Sequence, residues 1–314
     1  MRVVVTGGAG FIGGSLVHAL VGGGVSEITI IDDLSTGSMD NVHPAAAFRC
    51  LDVTDEEAAT AIIGARPEVV IHLAAQVSVA ASLADPAHDR RVNVEGTRAV
   101  AEAAIAAGAR RVIFASSAAV YGEPAELPLT EESPTEPAVP YGHSKLEAER
   151  VLAEVLRPAG VDFACLRFAN VYGPRQRSDG EGGVVAEFAS RMASGTAPVI
   201  FGTGAQTRDF IFVADVVSAC VMAAEYEGVS AGPGANGPAY NISTGRSTSV
   251  SMLAEGLRVA MRYAGDIQHA AARDGDVEAS VLAPDKAAET FGWHAAADLQ
   301  RGLGATGAWF LQRR

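Results

Sequence analysis

The chain has 314 residues, 48% of them hydrophobic and 19% charged, which is enough apolar material for a sizeable core and excludes a disordered chain. Its net charge of −13 repels polyanions, so neither nucleic acid nor a membrane surface is expected as a partner. No apolar run approaches the roughly 18–20 residues that span a bilayer, and the run from Val3 to Val5 is too short for a signal peptide, so a cytoplasmic protein is expected.

Residues 2–6 (RVVVT) read as a short buried strand, followed by glycines and an apolar-periodic stretch from Phe11 to Leu20. Further strands are expected at 27–32 (EITIID), 68–73 (EVVIHL), 111–116 (RVIFAS) and 161–167 (VDFACLR), with helices near 55–65, 93–107 and 142–157 between them. Strands that alternate with helices and are apolar almost throughout imply an α/β fold, a doubly wound Rossmann sheet of parallel strands covered on both faces. After about residue 172 glycine, proline and polar residues become frequent and the elements shorten, as at 198–201, 210–213 and 239–242. The expected division is a Rossmann domain over 1–172 and a smaller, interleaved α/β substrate-binding domain over 173–314, with parts of 203–245 returning to the first. Leu299, Leu303, Trp309 and Phe310 read as the core face of a closing helix.

Cys50, Cys165 and Cys220 match no metal or redox spacing and are expected to be buried, reduced thiols. His18, His43, His88, His269 and His294 form no ligand pattern, so no metal is expected.

The first strand runs into Gly7-Gly8-Ala9-Gly10-Phe11-Ile12-Gly13. Glycines at 7, 10 and 13 permit a tight turn, close backbone approach to a pyrophosphate, and close helix–strand packing. The helix then starts with free N–H groups aimed at the phosphates. Asp32 ends the second strand, where a carboxylate binds ribose hydroxyls and repels a 2′-phosphate, so NAD is expected over NADP. Asp52-Val53 reads either as an adenine contact or as a helix cap before Glu56.

Tyr141-Gly142-His143-Ser144-Lys145 follows Pro140 at a helix start. A Tyr and a Lys four apart share a helical face, and the helix dipole and the ammonium both favour phenolate over phenol. Tyr141 is then able to take a proton from a hydroxyl near neutral pH. Ser117 follows the fourth strand, at the sheet edge where open α/β folds bind ligands.

With these segments the sequence resembles the extended short-chain dehydrogenase/reductase family, and within it the UDP-galactose (UDP-glucose) 4-epimerases. The resemblance runs nearly end to end, through TGGAGFIG (6–13), IDDLSTG (31–37), HLAAQVSV (72–79), VNVEGT (92–97), SSAAVYG (116–122), YGHSK (141–145), RFANVYGPRQ (167–176), GTGAQTRDFIFVADV (202–216) and YNISTG (240–245). It implies Ser117, Tyr141 and Lys145 as catalytic residues. It implies NAD contacts from Gly7, Gly10, Phe11, Ile12, Gly13, Asp32, Asp33, Ser35, Thr36, Gly37, Asp52, Val53, Leu73, Ala74, Ala75, Asn93, Ser116, Tyr141, Lys145 and Phe168. Contacts to a UDP-sugar are implied for Ser117, Tyr141, Asn170, Gly183, Val184, Arg208, Arg273 and Asp276. A homodimer through helices near 93–107 and 142–157 is implied as well. Three departures touch ligand geometry or charge: Asp33 for the usual Asn, Ala169 for a common Phe, and Asp274 for the usual Pro.

The resemblance implies oxidation at C4 to a 4-keto sugar, rotation of that sugar, and hydride return to its opposite face. A 4,6-dehydratase or a decarboxylase would need acid–base groups where Ala118 and Ala119 stand. UDP-glucuronate is the alternative substrate, with Arg177 and Arg191 as candidate partners of its carboxylate. A net oxidoreductase releasing NADH and a non-catalytic NAD-binding scaffold are the other readings.

Overall fold

The structure, a computed structural model, describes residues 1–123, 126–178, 183–228, 238–272 and 277–313. The chain opens with β1 (Arg2–Thr6), α1 (Phe11–Gly22), β2 (Glu27–Asp32), β3 (Ala47–Cys50), α2 (Glu56–Ala65) and β4 (Val69–His72). Short helices α3 (Val79–Ala84) and α4 (Pro86–Arg90) and a π-helical turn (Arg91–Glu95) lead into α5 (Gly96–Ala106), β5 (Arg111–Ser117), α6 (Pro140–Leu156) and β6 (Asp162–Phe168). The second half holds β7 (Asn170–Tyr172), α7 (Val184–Ala193), β8 (Val199–Phe201), β9 (Thr207–Arg208), β10 (Phe210–Phe212), α8 (Val213–Glu225) and β11 (Ala239–Ile242). It closes with β12 (Thr248–Ser249), α9 (Val250–Ala260), β13 (Gln268–Ala270), β14 (Ala279–Ser280), α10 (Asp285–Phe291) and α11 (Leu299–Leu311).

Seven strands form one sheet in the order β11-β6-β5-β4-β1-β2-β3, and every neighbouring pair in it is parallel. This is the Rossmann arrangement, with the strand order reversing between β1 and β4. The apolar run Val3-Val4-Val5 shows why both faces are covered. Val3 and Val5 join one core with Leu16 and Val17 of α1 and Val216 and Ala223 of α8. Val4 points the other way, into a second core with Ile62 of α2, Val100 of α5 and Leu152 of α6. Each such valine contributes roughly 1.5–3 kcal/mol by leaving water. A third core, with Phe188, Leu253 and Leu303, lies among α7, α9 and α11. The chain crosses back between the halves: α8 packs on α1, and β11 extends the large sheet beside β6.

The outer edges of α5 and α6 are joined by charges, with Arg98 on Glu154 at 3.3 Å, while Arg90 of α4 reaches Glu147 at 2.6 Å. Among the described residues no helix is long and apolar enough to cross a membrane. Cys165 and Cys220 are buried free thiols, but Cys50 is exposed, because β3 is an edge strand.

A buried polar chain ties the sheet to the second half. Arg167 donates to Glu149 through Nε (2.9 Å) and Nη2 (2.7 Å), and through Nη1 to the Tyr121 hydroxyl at 3.1 Å. That hydroxyl donates to Asn241 Oδ1 at 2.7 Å, and the Asn241 N–H donates to Glu131 at 2.6 Å. Ser116 donates to the same Glu149 oxygen from the catalytic edge of β5. An ion pair this dry is costly to break on one side, because the remaining charge stays buried. Arg167→Met is expected to lower the unfolding free energy by about 3–5 kcal/mol, and the double change Arg167→Met/Glu149→Leu by less than the single one; urea titration checks both.

Candidate active site

A cavity of about 660 Å³ opens at the carboxyl edge of the sheet, across the point where the strand order reverses. Its floor is the glycine turn. Gly7 has φ +71°, and a Cβ there would lie 2.6 Å from the Ala74 nitrogen; at Gly13 a Cβ would lie 2.0 Å from the Gly7 carbonyl oxygen. Only glycine allows α1 to begin this close to β1 and β4. No side chain caps the start of α1 and its first turn holds no acid, so its positive end faces the cavity without an internal counter-charge.

Asp32 closes the next wall. Its Oδ2 accepts from the Ala9 N–H and its Oδ1 from the Leu34 N–H, both at 2.9 Å. Burial raises its pKa from the ordinary value, and those two bonds pull against the rise. Asp33 accepts from the Ser35 amide and hydroxyl, which shapes the loop carrying Ser35, Thr36 and Gly37 along the cavity. Asp52 lines the cavity and shapes the turn before α2 by accepting from the Thr54 N–H at 2.9 Å, but it does not cap that helix, whose N-cap is Asp55. Val53, Leu73, Ala74, Ala75, Phe168, Asn170, Gly183 and Val184 line the same space. The glycine cradle, the open helix end and the Asp32 carboxylate on the cavity wall together fit a dinucleotide without a 2′-phosphate.

Ser117, Tyr141 and Lys145 meet on one wall. Pro140 sets the first turn of α6, which puts Tyr141 and Lys145 on one face over the end of β5. Lys145 is buried, and its Nζ donates to the Ala115 carbonyl at 2.9 Å and lies 6.0 Å from the Tyr141 ring centre. Burial pulls the Lys145 ammonium down to about 8, opposed by the charges of Asp89 and Glu149. The electrostatics of Tyr141 differ from the sequence expectation. Burial raises its pKa and the Asp89 charge adds to that, while the hydrogen bond with Ser117 pulls it down. The hydrogen bond with Ser117 thus favours the phenolate against burial.

Two expected residues stand outside the cavity wall. Asn93 does not line the cavity: its amide donates to the Gln76 carbonyl (3.0 Å), Asp89 Oδ1 (3.2 Å) and Ser144 Oγ (3.0 Å). Ser144 in turn donates to the Tyr141 carbonyl at 3.0 Å. Asn93 thus pins the start of α6 from behind. Arg208 lies on β9, outside the cavity wall, with Nη1 on the Thr207 carbonyl at 2.8 Å. Arg273 and Asp276 fall outside the described residues, as does Asp274. Of the two arginines considered for a sugar carboxylate, Arg177 lines the cavity and donates to the Thr36 carbonyl at 3.0 Å, whereas Arg191 lies outside its wall, paired with Glu187 at 3.3 Å on α7.

Sequence reading missed Asp89, a buried carboxylate with Oδ2 unbonded and Oδ1 accepting from Gln76 at 2.8 Å. Its place behind the Tyr–Lys wall depends on α4 packing against α6, which no local pattern announces. Trp309 also departs from expectation, lining the cavity beside Arg313 instead of facing only the core. His72 is structural, with Nδ1 2.6 Å from the Thr6 hydroxyl and Nε2 3.0 Å from that of Thr97; burial pushes it down to about 3. Among the described residues no group of three His, Cys, Asp or Glu side chains could hold a metal.

The profile of the NAD-dependent epimerase/dehydratase family matches residues 3–243. The chain belongs to that family. Its cofactor is NAD, in keeping with the cradle just described. It is similar to a UDP-glucose 4-epimerase of Mycolicibacterium smegmatis, 39% identical over all of this chain and 99% of the relative. A solved UDP-glucose 4-epimerase of Thermotoga maritima, with UDP-glucose, superposes with a TM-score of 0.93 at 38% identity, covering 100% of this chain and 99% of that one. A UDP-N-acetylglucosamine 4-epimerase of Methanobrevibacter ruminantium M1, in complex with UDP-N-acetylmuramic acid, superposes at 0.91 with 31% identity, covering 100% and 99%.

Gly13→Ala is expected to abolish NAD binding, since the added methyl meets fixed backbone; equilibrium dialysis with NAD measures this. The buried Lys145 makes a second expectation. Its folded pKa lies below the ordinary 10.5, so its stability contribution is present above 10.5 and lost as pH falls through about 8. Compared with wild type, Lys145→Met is expected to gain most in stability below pH 8, the difference shrinking by about one proton's slope between 8 and 10.5. Denaturation at a series of pH values reads that slope directly.

Proposed function

We propose that this chain inverts the C4 centre of a UDP-hexose, interconverting UDP-glucose and UDP-galactose. The observation that carries this reading is the wall formed by Ser117, Tyr141 and Lys145 in a cavity otherwise poor in acid–base groups. The remaining ionisable side chains on its described walls are Asp32, Asp33 and Asp52 along the cradle and three arginines. No Glu, His or Cys lines it, so among the described residues no second acid–base pair is on hand for dehydration or for epimerisation at a further carbon.

NAD, when bound, supplies the acceptor that takes the C4 hydride and gives it back, so no net oxidation occurs. The chain does the rest. Tyr141 takes the proton of the 4-hydroxyl and later returns it, so one group serves as base and acid. Ser117 hydrogen-bonds the phenol and lowers the cost of its ionisation. Lys145 Nζ lies 6.0 Å from the Tyr141 ring centre, and the charges of Asp89 and Glu149 favour its cation against burial. Ala169, smaller than a common Phe, leaves room beside Phe168 and Asn170 for the keto sugar to turn.

The UDP-glucose named for two of the similar proteins supports a neutral hexose; of the two arginines considered for the carboxylate of UDP-glucuronate, Arg191 is paired with Glu187 away from the cavity wall and Arg177 alone lines it. The N-acetylglucosamine of the third similar protein makes a 2-acetamido sugar the competing substrate.

The test is to incubate the protein separately with UDP-glucose, UDP-N-acetylglucosamine and UDP-glucuronate and follow the anomeric NMR signals. The expected outcome is conversion of UDP-glucose to UDP-galactose with no build-up of absorbance at 340 nm; steady NADH accumulation would mean a dehydrogenase. Tyr141→Phe is expected to lower kcat by about 10²–10⁴-fold, and full activity in that variant would refute the mechanism.

A further inference from the structure

The cofactor cavity is not confined to the Rossmann edge. Part of its wall comes from the turn after β7, through Arg175, and part from the last turns of α11, through Trp309 and Arg313. Arg175 holds a left-handed backbone conformation, φ +74°, without being glycine. Such a conformation costs on the order of 1 kcal/mol and persists only where the surroundings impose it. Here it accompanies a half-buried guanidinium on the cavity wall that makes no hydrogen bond or ion pair among the described residues. Arg313 stacks over the Trp309 ring at 4.4 Å, at the C-terminal end of α11.

Two like charges thus share one wall of a chain whose net charge is −13. Burial and the charge of Arg313 both pull Arg175 down from its ordinary value. An anion at this wall removes the conflict. The position of Arg175 indicates which anion. It lines the same cavity as Gly10, Phe11, Ile12 and Gly13, at the uncapped start of α1. Arg177, two residues on, ties the same turn to the Thr36 carbonyl at 3.0 Å.

We propose that Arg175 and Arg313, steadied by Trp309, clamp the diphosphate of the bound dinucleotide at the start of α1, so that the C-terminal helix sets how long NAD stays. This rests on the cavity being the NAD site and deepens the epimerase reading. An enzyme that regenerates its NAD in every cycle gains from slow release, and a clamp borne by the second half of the chain supplies it. A diphosphate could also belong to the sugar nucleotide, and the experiment separates the two.

The test uses the full chain purified with its NAD. Bound NAD per chain and its release rate, without sugar present, are compared for wild type, Arg175→Ala/Arg313→Ala, Arg175→Lys/Arg313→Lys and Trp309→Leu. The double alanine variant is expected to release NAD roughly tenfold faster or more, with lost turnover recovered in part by added NAD, and the lysine variant to fall between it and wild type. Wild-type release is expected to quicken with salt and the alanine variant's to respond less. Unchanged release in the alanine variant overturns the proposal. So does a raised KM for the UDP-sugar with NAD release unaffected, which would assign the pair to the sugar nucleotide. Thermal melting of the NAD-free proteins identifies a folding defect, and faster release with no more loss of thermal stability than the lysine variant is the supporting result. Faster release from a protein that epimerises none of the sugars tested would leave the clamp standing and remove the proposed function alone.

Discussion

A helix that starts within contact distance of the strand before it is the constraint on which this molecule depends. The Gly7 turn and the close approach of Gly13 to the Gly7 carbonyl bring α1 down between β1 and β4. Because the strand order reverses there, no crossover helix covers the gap, and the open N-terminus of α1 faces it. The cavity, the loop after β2 that lines it and the Ser117–Tyr141–Lys145 wall after β5 all take their positions from that junction.

The opposite wall is built at a cost. Lys145 is held as a cation in a dry setting that pulls its pKa down to about 8, and Tyr141 is buried beside it. Two carboxylates offset the strain from different sides. Glu149, on the same helix, belongs to the polar chain that runs through Arg167 and Tyr121 to Asn241. Asp89, on α4, reaches the start of α6 through Asn93 and Ser144. The two networks meet the reacting wall from behind, so packing far from the substrate decides where the phenol sits and how easily it ionises.

Local patterns were legible where one element carried the whole signal. The apolar strand runs, the glycine turn, Asp32 and the Tyr141–Lys145 spacing each involve residues close in sequence, and each lies where its local chemistry required. Readings that depended on distant partners fared differently. Asn93 turned out to brace α6 from outside the cavity wall, since its neighbours come from residues 76, 89 and 144. Arg177 reaches back to Thr36, and Cys50 is exposed because its strand closes the sheet at an edge, a fact of strand order that the strand itself does not carry.

The sequence by itself determined a parallel sheet covered on both faces, a dinucleotide cradle after the first strand, and a Tyr–Lys pair on one helical face, because those follow from side-chain periods and from glycine's lack of a Cβ. Tertiary structure alone decided that Ser117 hydrogen-bonds Tyr141, that Asp89 stands behind the pair, and that Trp309 and Arg313 reach the cavity from the far end of the chain. Burial and charge act through space, and the groups that set them here are brought together by a fold whose contacts span the whole chain.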